Sequence, residues 1–208
     1  MNKDLKNIMR LYDYKENHTQ LCGPGSTLWY TAPLRTQLPI ILKKYNITSM
    51  IDAPCGDYSW MKLIDLDQVK YTGADINESL VIENKRKFPD KEFRLLDITE
   101  DEIPTVDLVF VRDCLFHLNN ELKRKFLKNF LRSKSKYLLT SNHPRNVIND
   151  EMSHITGGDF KQINWCKPPW NFPNPLDSII DYNVDDNKFL SHPYRTMELW
   201  SHEQLKEL

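Results

Sequence analysis

The sequence predicts an α/β protein built on a doubly wound, mostly parallel β-sheet of the Rossmann-like type. Between residues 49 and 141, short apolar runs alternate with segments in which apolar residues recur at helical spacing. This alternation is typical of parallel strands joined by right-handed helical crossovers. A length of 208 residues suits one domain with an ample core.

The predicted elements follow one another in a regular order. Apolar runs predict strands at residues 49–53, 69–76, 93–98, 106–111 and 136–141. Helical periodicity predicts helices at residues 33–45, 80–88 and 120–133. A further helix is expected after the turn that contains Pro54 and Gly56. The run at 106–111 is almost continuously apolar, which is typical of a central parallel strand.

We expect three parts within the domain. Residues 1–48 supply helices that close over a ligand, beginning with a polar amphipathic lead-in at 1–20. Residues 49–143 form the ligand-binding core. Residues 144–195 show little periodic structure, and so long an irregular stretch in a compact domain indicates a functional loop.

Charge and composition argue against several classes of partner. The net charge of −1 gives no broad field for nucleic acid or for an anionic membrane, so we expect neither. No signal peptide and no run of about 18 apolar residues is present, which favours the cytoplasm. The four cysteines stand far apart without a Cys-x-x-Cys pair, so no zinc site or disulfide framework is indicated. The sequence does not indicate an oligomeric state.

The candidate ligand site starts at the turn after the first strand, which reads Asp52-Ala53-Pro54-Cys55-Gly56-Asp57. Ligands of open α/β sheets bind where strands end and backbone N–H groups are exposed. A dinucleotide site needs three glycines, but Pro54 and Tyr58 stand where two of them would be. An adenosine ligand with an ammonium and a sulfonium instead of phosphates suits the acidic loop, which predicts S-adenosylmethionine. Asp57 is equally consistent with a helix cap.

Two further acids complete an adenosine site. Asp75 ends the second strand 23 residues beyond Asp52, where a carboxylate accepts hydrogen bonds from both hydroxyls of a ribose. Asp97 ends the third strand, so its carboxylate suits an adenine amino group while the amide of Ile98 suits the ring. The predicted cofactor-binding residues are Asp52, Ala53, Pro54, Cys55, Gly56, Asp57, Trp60, Asp75, Ile76, Asp97, Ile98 and Arg112.

Taken together, the segments 51–57, 73–75, 96–98 and 107–109 resemble the four ordered motifs of class I S-adenosylmethionine-dependent methyltransferases. More narrowly, 25–27, 54–57 with 60–61, and 171–177 are similar to a small bacterial branch that accompanies capsule and surface-polysaccharide genes. That resemblance implies O-methylation of a sugar or sugar-derived acceptor. It also implies an antiparallel strand pair at the end of the sheet, which residues 160–165 and 196–200 would supply.

Candidate catalytic residues follow the fourth and fifth strands. Methyl transfer to a hydroxyl needs an acceptor held in line with the methyl–sulfur bond and a base for its proton. His117 and His143 are the predicted bases, and Asp113 is expected to orient one of them or to bind the acceptor. Arg112 is expected to contact the cofactor or to pair with Asp113. These side chains are also acceptable ligands for a divalent ion, but without metal-ligand spacing we predict no metal site.

The irregular region is the candidate acceptor site. Flat aromatic faces beside polar tips suit a sugar, so we expect Trp165, Trp170 and Phe172 to line the acceptor pocket. Asp159 and Asp177 are expected to bind its hydroxyls. The alternative is that the aromatic residues pack a proline-stiffened surface loop.

The sequence therefore predicts a methyltransferase that uses S-adenosylmethionine on a small carbohydrate. Two alternatives stay open. One is a catalytically silent methyltransferase-like domain that binds the nucleoside or a partner. The other is a nicotinamide-dependent oxidoreductase, which the missing glycines disfavour.

Overall fold

The structure is a computed structural model that describes residues 22–66, 68–146, 148–149, 160–181 and 194–207. The strands are β1 (Ser49–Asp52), β2 (Lys70–Asp75), β3 (Glu92–Leu95), β4 (Leu108–Val111), β5 (Tyr137–Asn142), β6 (Asp177–Ile180) and β7 (Thr196–Ser201). The α-helices are α1 (Ala32–Lys44), α2 (Glu78–Lys87), α3 (Asn120–Ser133) and α4 (His202–Leu205). Short 3₁₀ turns form at Pro24–Ser26, Met61–Leu63 and Leu115–His117.

All of these strands belong to one sheet in the order β3-β2-β1-β4-β5-β7-β6. The first five strands are parallel, and β7 runs antiparallel to both of its neighbours. The predicted doubly wound sheet with an antiparallel C-terminal pair is confirmed. Because β6 and β7 are antiparallel to each other, β6 ends at the same edge of the sheet as β1, β2, β4 and β5.

Apolar side chains cover both faces of the sheet. On one face α1 buries the predicted stripe of Leu34, Leu38, Ile41 and Leu42. On the other face α3 buries Leu122, Phe126 and Phe130 against Val109 and Leu138. Each fully buried side chain of this kind contributes about 1.5–3 kcal/mol relative to an exposed one. Both faces of the sheet are therefore covered, which leaves its edges for a ligand.

Two asparagines cap helices that start at the carboxyl edge of the sheet. Asn77 accepts hydrogen bonds from the backbone N–H groups of Ser79 and Leu80 at the start of α2. Asn119 accepts one from the N–H of Leu122 at the start of α3. Side-chain caps of this kind satisfy N–H groups that lack a partner within the helix. Both helices therefore begin beside the carboxyl ends of the strands.

The helix expected after β1 is replaced by an irregular turn and the 3₁₀ turn Met61–Leu63. Tyr58 adopts a left-handed backbone with φ of 58°, which a helix does not allow. Its ring is buried and packs 5.1 Å from the ring of Phe88 and 5.4 Å from that of Phe93. Asp57 accepts a hydrogen bond from the N–H of Ser59 within this turn, so it caps no α-helix.

The partner of β7 differs from the one expected. Residues 160–165 form no strand; β6 at Asp177–Ile180 pairs with β7 instead. The backbone of 160–165 crosses the carboxyl edge, where the N–H of Lys161 donates to the carbonyl of Phe116 and the N–H of His143 donates to the carbonyl of Ile163. These bonds use the groups that a strand ladder would need.

The N-terminal segment is described from Cys22 onward, so the lead-in expected at 1–20 lies outside the described residues. The loop at residues 23–27 contains the 3₁₀ turn Pro24–Ser26. Among the residues that the structure describes, no helix has the length and apolar composition needed to cross a membrane.

At the opposite, amino edge of the sheet, Asp107 joins three strands. Its carboxylate accepts hydrogen bonds from the N–H and hydroxyl of Thr48 at 2.8 and 2.7 Å and from the N–H of Ser49 at 3.2 Å. It also forms an ion pair with Lys136 at 2.6 Å. Burial raises the pKa of Asp107, but Lys136 and Thr48 outweigh this and hold it well below its usual range. The side chain therefore stabilises the sheet as an anion.

We predict that Asp107→Ala lowers the free energy of unfolding by about 3 kcal/mol near neutral pH, because charged hydrogen bonds are lost. A depressed carboxyl pKa contributes stability above the unfolded value and loses it on acidification, so the difference from wild type should shrink below about pH 4. Denaturant unfolding at several pH values measures both effects. Asp90→Ala at an exposed position is the control. An equal loss in both variants would contradict the role of Asp107.

Candidate functional site

A cavity of about 200 Å³ opens at the carboxyl edge of the sheet. A smaller cavity of about 40 Å³ adjoins it. The two share the lining residues Pro54, Asp75, Ile76, Cys114 and Leu118. The predicted cofactor residues Cys55, Gly56, Asp57, Trp60 and Arg112 line the larger cavity, and Ala53, Asp97 and Ile98 line the smaller one. Apart from Asp52, the predicted cofactor residues therefore line two adjoining cavities.

The turn after β1 is held by backbone hydrogen bonds. The N–H of Cys55 donates to the carbonyl of Ala74 at 2.8 Å, and the side-chain amide of Asn84 donates to the carbonyl of Gly56 at 2.7 Å. Gly56 has φ of 56°, and a Cβ there would lie 2.7 Å from the sulfur of Cys22. Only glycine fits this position without strain or a clash. The backbone can therefore approach a ligand closely here.

Asp75 accepts a hydrogen bond from the backbone of this turn. Its carboxylate accepts hydrogen bonds from the N–H of Gly56 at 3.0 Å and from the N–H of Asn77 at 2.9 Å. Burial raises the pKa of Asp75, and these backbone donors oppose the shift. A carboxylate has about four lone-pair positions, so two remain for ligand donors. The geometry suits a pair of neighbouring hydroxyls.

Asp97 offers a second acceptor in the smaller cavity. Its Oδ1 accepts hydrogen bonds from the N–H and hydroxyl of Thr99 at 2.9 and 2.7 Å. Its Oδ2 is buried and has no hydrogen-bond partner in the described part of the chain. Leaving a buried acceptor unsatisfied costs about 1–3 kcal/mol, so a ligand that donates here recovers that cost. An amino group is such a donor.

Asp52 lies behind the cavity and does not line it. It is buried and accepts a hydrogen bond from the hydroxyl of Tyr71 at 2.8 Å. Burial raises the pKa of Asp52 to about 7. Asp52 therefore links the carboxyl end of β1 to Tyr71, near the start of β2.

Three buried charged side chains and the half-buried Asp113 form a cluster on the other side of the cavity. The Nε of Arg112 donates to both oxygens of Asp181 at 3.0 and 3.1 Å, and its Nη2 donates to the carbonyl of Gly25 at 2.8 Å. Arg195 forms ion pairs with Asp113 and, at 2.9 Å, with Asp181. The cluster holds two cations and two anions, so its charges balance. It connects β4, β6, β7 and the N-terminal loop.

Asp113 and His117 face the larger cavity together. Asp113 has φ of 54°, and a Cβ on Gly25 would collide with its carboxylate. Burial raises the pKa of Asp113, but the guanidinium groups of Arg195 and Arg112 outweigh this and hold it below its usual value. Asp113 is therefore an anion beside the imidazole of His117, which lies at the end of the 3₁₀ turn Leu115–His117.

His143 is placed differently from His117. It is fully buried, its ring packs 5.4 Å from those of Phe116 and Phe160, and it lines neither cavity. The N–H of Ile163 donates to its Nδ1 at 3.1 Å, which assigns the proton of the neutral ring to Nε2. Burial lowers the pKa of His143 to about 4. The ring is therefore neutral at physiological pH.

The aromatic residues expected in the acceptor pocket lie in the core. Trp165 stacks on Phe172 with ring centroids 5.0 Å apart and meets Trp170 edge-on at 5.2 Å. All three are buried, and none lines either cavity. Asp177 pairs with Lys44 at 2.7 Å at the start of β6, away from the cavity edge. Asp159 lies outside the described residues.

Several residues of the site have no counterpart in the sequence prediction. Cys22, Asn77, Leu80, Cys114 and Leu118 line the larger cavity. Arg195 and Asp181 complete the charged cluster. The guanidinium groups of Arg195 and Arg112 face the ring of Tyr30, at 5.1 and 5.9 Å from its centroid. A strand prediction at 177–180 would have placed Asp181 at the carboxyl edge. In the described ranges, no three or more His, Cys, Asp or Glu side chains are grouped to hold a metal ion.

Comparisons with known proteins address the fold. No protein-family model matches the sequence, and no curated protein sequence matches it. The methyltransferase domain of bacterial CtHen1-CN superposes with a TM-score of 0.58 at 14% identity, covering 83% of this chain and 99% of that chain. Magnesium protoporphyrin IX methyltransferase ChlM from Synechocystis PCC 6803, solved with bound SAM, gives 0.56 at 14% identity and covers 97% and 99%.

A third similar structure is the N-methyltransferase NodS from Bradyrhizobium japonicum WM9 in complex with S-adenosyl-L-homocysteine. It gives a TM-score of 0.55 at 12% identity and covers 66% of this chain and 74% of that chain. At such low sequence identities the similarity concerns the fold alone. The protein has the class I methyltransferase fold.

Proposed function

We propose that this protein is an S-adenosylmethionine-dependent methyltransferase that methylates a hydroxyl of a sugar or sugar-derived acceptor. One observation carries the cofactor assignment: Asp75 and Asp97, whose Oδ2 has no hydrogen-bond partner among the described residues, line two adjoining cavities at the carboxyl edge of the sheet. The two acceptors match the two ends of an adenosine. The vicinal hydroxyls of the ribose donate to Asp75, and the amino group of adenine donates to Asp97.

The rest of the larger cavity suits the methionine end of the cofactor. Asp57 and Asp113 supply negative charge for an ammonium and a sulfonium, and Arg112 supplies a cation for the carboxylate. A pyrophosphate would instead meet the carboxylates of Asp57 and Asp75. The bound SAM of ChlM and the bound S-adenosyl-L-homocysteine of NodS support the same cofactor.

Methyl transfer is a displacement in which the acceptor oxygen forms a bond to the methyl carbon while the carbon–sulfur bond breaks. Most of the rate comes from holding the oxygen in line with that bond. The hydroxyl proton passes to a base, and we assign this role to His117 because it lines the cavity next to Asp113. The anionic Asp113 stabilises the imidazolium that results. His143 is the other predicted base, but its ring lies outside the cavity lining.

An exposed aromatic ring near His117 supports a sugar as the acceptor. The ring of Phe160 lies 6.3 Å from the imidazole of His117, and Phe160 is 40% exposed. An exposed aromatic face next to a base offers the apolar side of a sugar ring a contact while one hydroxyl reaches the base. The resemblance of 25–27, 54–57 and 171–177 to enzymes of surface-polysaccharide synthesis supports this acceptor class and a place in that synthesis.

We predict that the protein binds S-adenosylhomocysteine with micromolar affinity and that Asp75→Ala weakens this binding at least about a hundredfold, because both ribose hydroxyls lose a charged acceptor. Asp97→Ala should weaken it about tenfold, since one hydrogen bond to adenine is lost. Titration calorimetry measures both affinities, with Asp90→Ala as the control. No binding by the wild type would contradict the cofactor assignment.

We predict that His117→Ala lowers kcat for methyl transfer by about a hundredfold or more and leaves the affinity for S-adenosylhomocysteine unchanged. Transfer of labelled methyl from S-adenosylmethionine to a panel of nucleotide-linked sugars provides the assay. His143→Ala is the comparison variant. If His143→Ala abolishes methyl transfer while His117→Ala has no effect, the base is His143. If cofactor binds and no acceptor is methylated, the silent-domain alternative stands.

A further inference from the structure

Basic side chains are concentrated on one side of the molecule. Residues 120–149 contain eight lysines and arginines and one acid, Glu121, although the whole chain has a net charge of −1. Most of this excess lies on α3. The remainder of the chain is correspondingly acidic, so the field of the protein is uneven.

Three of these cations form a row along α3. Arg124, Lys128 and Arg132 are four residues apart and exposed, so they lie one above another on the solvent side of the helix. We call these three residues the α3 ridge. One helical turn separates each cation from the next, a rise of about 6 Å. The α3 ridge therefore presents a regular line of positive charge.

Within the described ranges of the chain, the α3 ridge has no neutralising carboxylate. The carboxylate of Glu100 pairs with Lys125 at 2.9 Å, beside the ridge and not on it. The guanidinium of Arg124 lies 5.2 Å from the ring centroid of the buried Trp170, and Arg132 donates to the side chain of Asn129 at 2.8 Å. Among the described residues, no carboxylate pairs with a member of the α3 ridge. Its charge is therefore available to a partner.

The α3 ridge leads toward the cavity. The helix begins at Asn120, two residues after Leu118, which lines both cavities. Near this end of the helix, the backbone N–H of the exposed Lys161 donates to the carbonyl of Phe116, which precedes His117. A chain-like anion lying on the α3 ridge would therefore end beside the base.

The surroundings of the α3 ridge favour a sugar polymer over other polyanions. Single-stranded nucleic acid uses exposed aromatic rings on which bases stack, but along α3 the rings of Phe126 and Phe130 are buried, as is Trp170 beneath Arg124. Adsorption to a membrane surface is strengthened by apolar side chains that enter it, and none of the exposed large hydrophobic residues described lies on α3. Along α3 itself, the exposed feature is therefore positive charge at a regular spacing.

We propose that the α3 ridge binds a linear anionic sugar polymer and that the acceptor hydroxyl belongs to that polymer or its growing end. This inference rests on the proposed function and narrows its substrate class from a free sugar to an acidic chain. Binding of this kind is electrostatic, so it weakens steeply as salt is added.

The test uses the full chain and fluorescently labelled polygalacturonate as the probe, with neutral dextran as its uncharged counterpart. The ridge variant combines Arg124→Gln, Lys128→Gln and Arg132→Gln. The matched control combines Lys85→Gln, Arg86→Gln and Lys87→Gln, which removes three exposed cations from α2. Anisotropy is measured at low and at physiological ionic strength.

We expect the wild type to bind polygalacturonate and not dextran, and the ridge variant to bind it about ten- to a hundredfold more weakly. The α2 variant should stay within about twofold of the wild type, since its charges lie elsewhere. An equal loss in both triple variants, or none in the ridge variant, would overturn the proposal. So would tighter binding to oligouridylate or to phosphatidylglycerol vesicles than to polygalacturonate.

S-adenosylhomocysteine binding, measured on the same samples, separates this proposal from the proposed function. The ridge variant should keep the affinity of the wild type, because the α3 ridge does not line the cavities. If the wild type binds the polymer through the α3 ridge but not S-adenosylhomocysteine, the proposed function fails and the docking surface stands.

Discussion

The hydrogen bond from the backbone N–H of Gly56 to the carboxylate of Asp75 holds the cofactor side of the molecule together. It forms because residue 56 has no Cβ and adopts a positive φ against the sulfur of Cys22. The carbonyl of Asp75 in turn accepts the N–H of Leu96, which precedes Asp97. One carboxylate and its own backbone thus fix the ends of β1, β2 and β3 relative to one another, and with them both acceptors for an adenosine.

The acceptor side depends on a different balance. Burying a charge is costly unless it is paired, and breaking a buried pair costs several kcal/mol. Arg112, Asp113, Asp181 and Arg195 meet this condition only as a group, since each arginine contacts both acids. The antiparallel pair β6–β7 and the N-terminal loop are therefore held against β4. This arrangement places the charge of Asp113 at the cavity wall, where a cationic ligand or an imidazolium benefits from it.

Much of the fold follows from local patterns. The apolar runs predict the five parallel strands, and the rule that ligands bind at their carboxyl ends places Asp75 and Asp97 together. The irregular turn at Tyr58 and the strand β6 could not be predicted in this way. The ring of Tyr58 is held by Phe88 and Phe93, and β6 has four residues whose partners lie in β7, beyond a long connection. Both depend on contacts between residues distant in the sequence.

Residue type and position after a strand do not decide the role of a polar side chain; burial does. His117 and His143 both follow strands, yet only His117 lines the cavity, while His143 is enclosed by Phe116, Phe160 and the backbone of Ile163. The same distinction separates Asp75, which retains lone pairs at the cavity, from Asp52, which bonds to Tyr71 behind it. A proton acceptor must reach its substrate before its basicity matters. The packing of the carboxyl edge therefore selects, from several chemically suitable residues, the ones that can act.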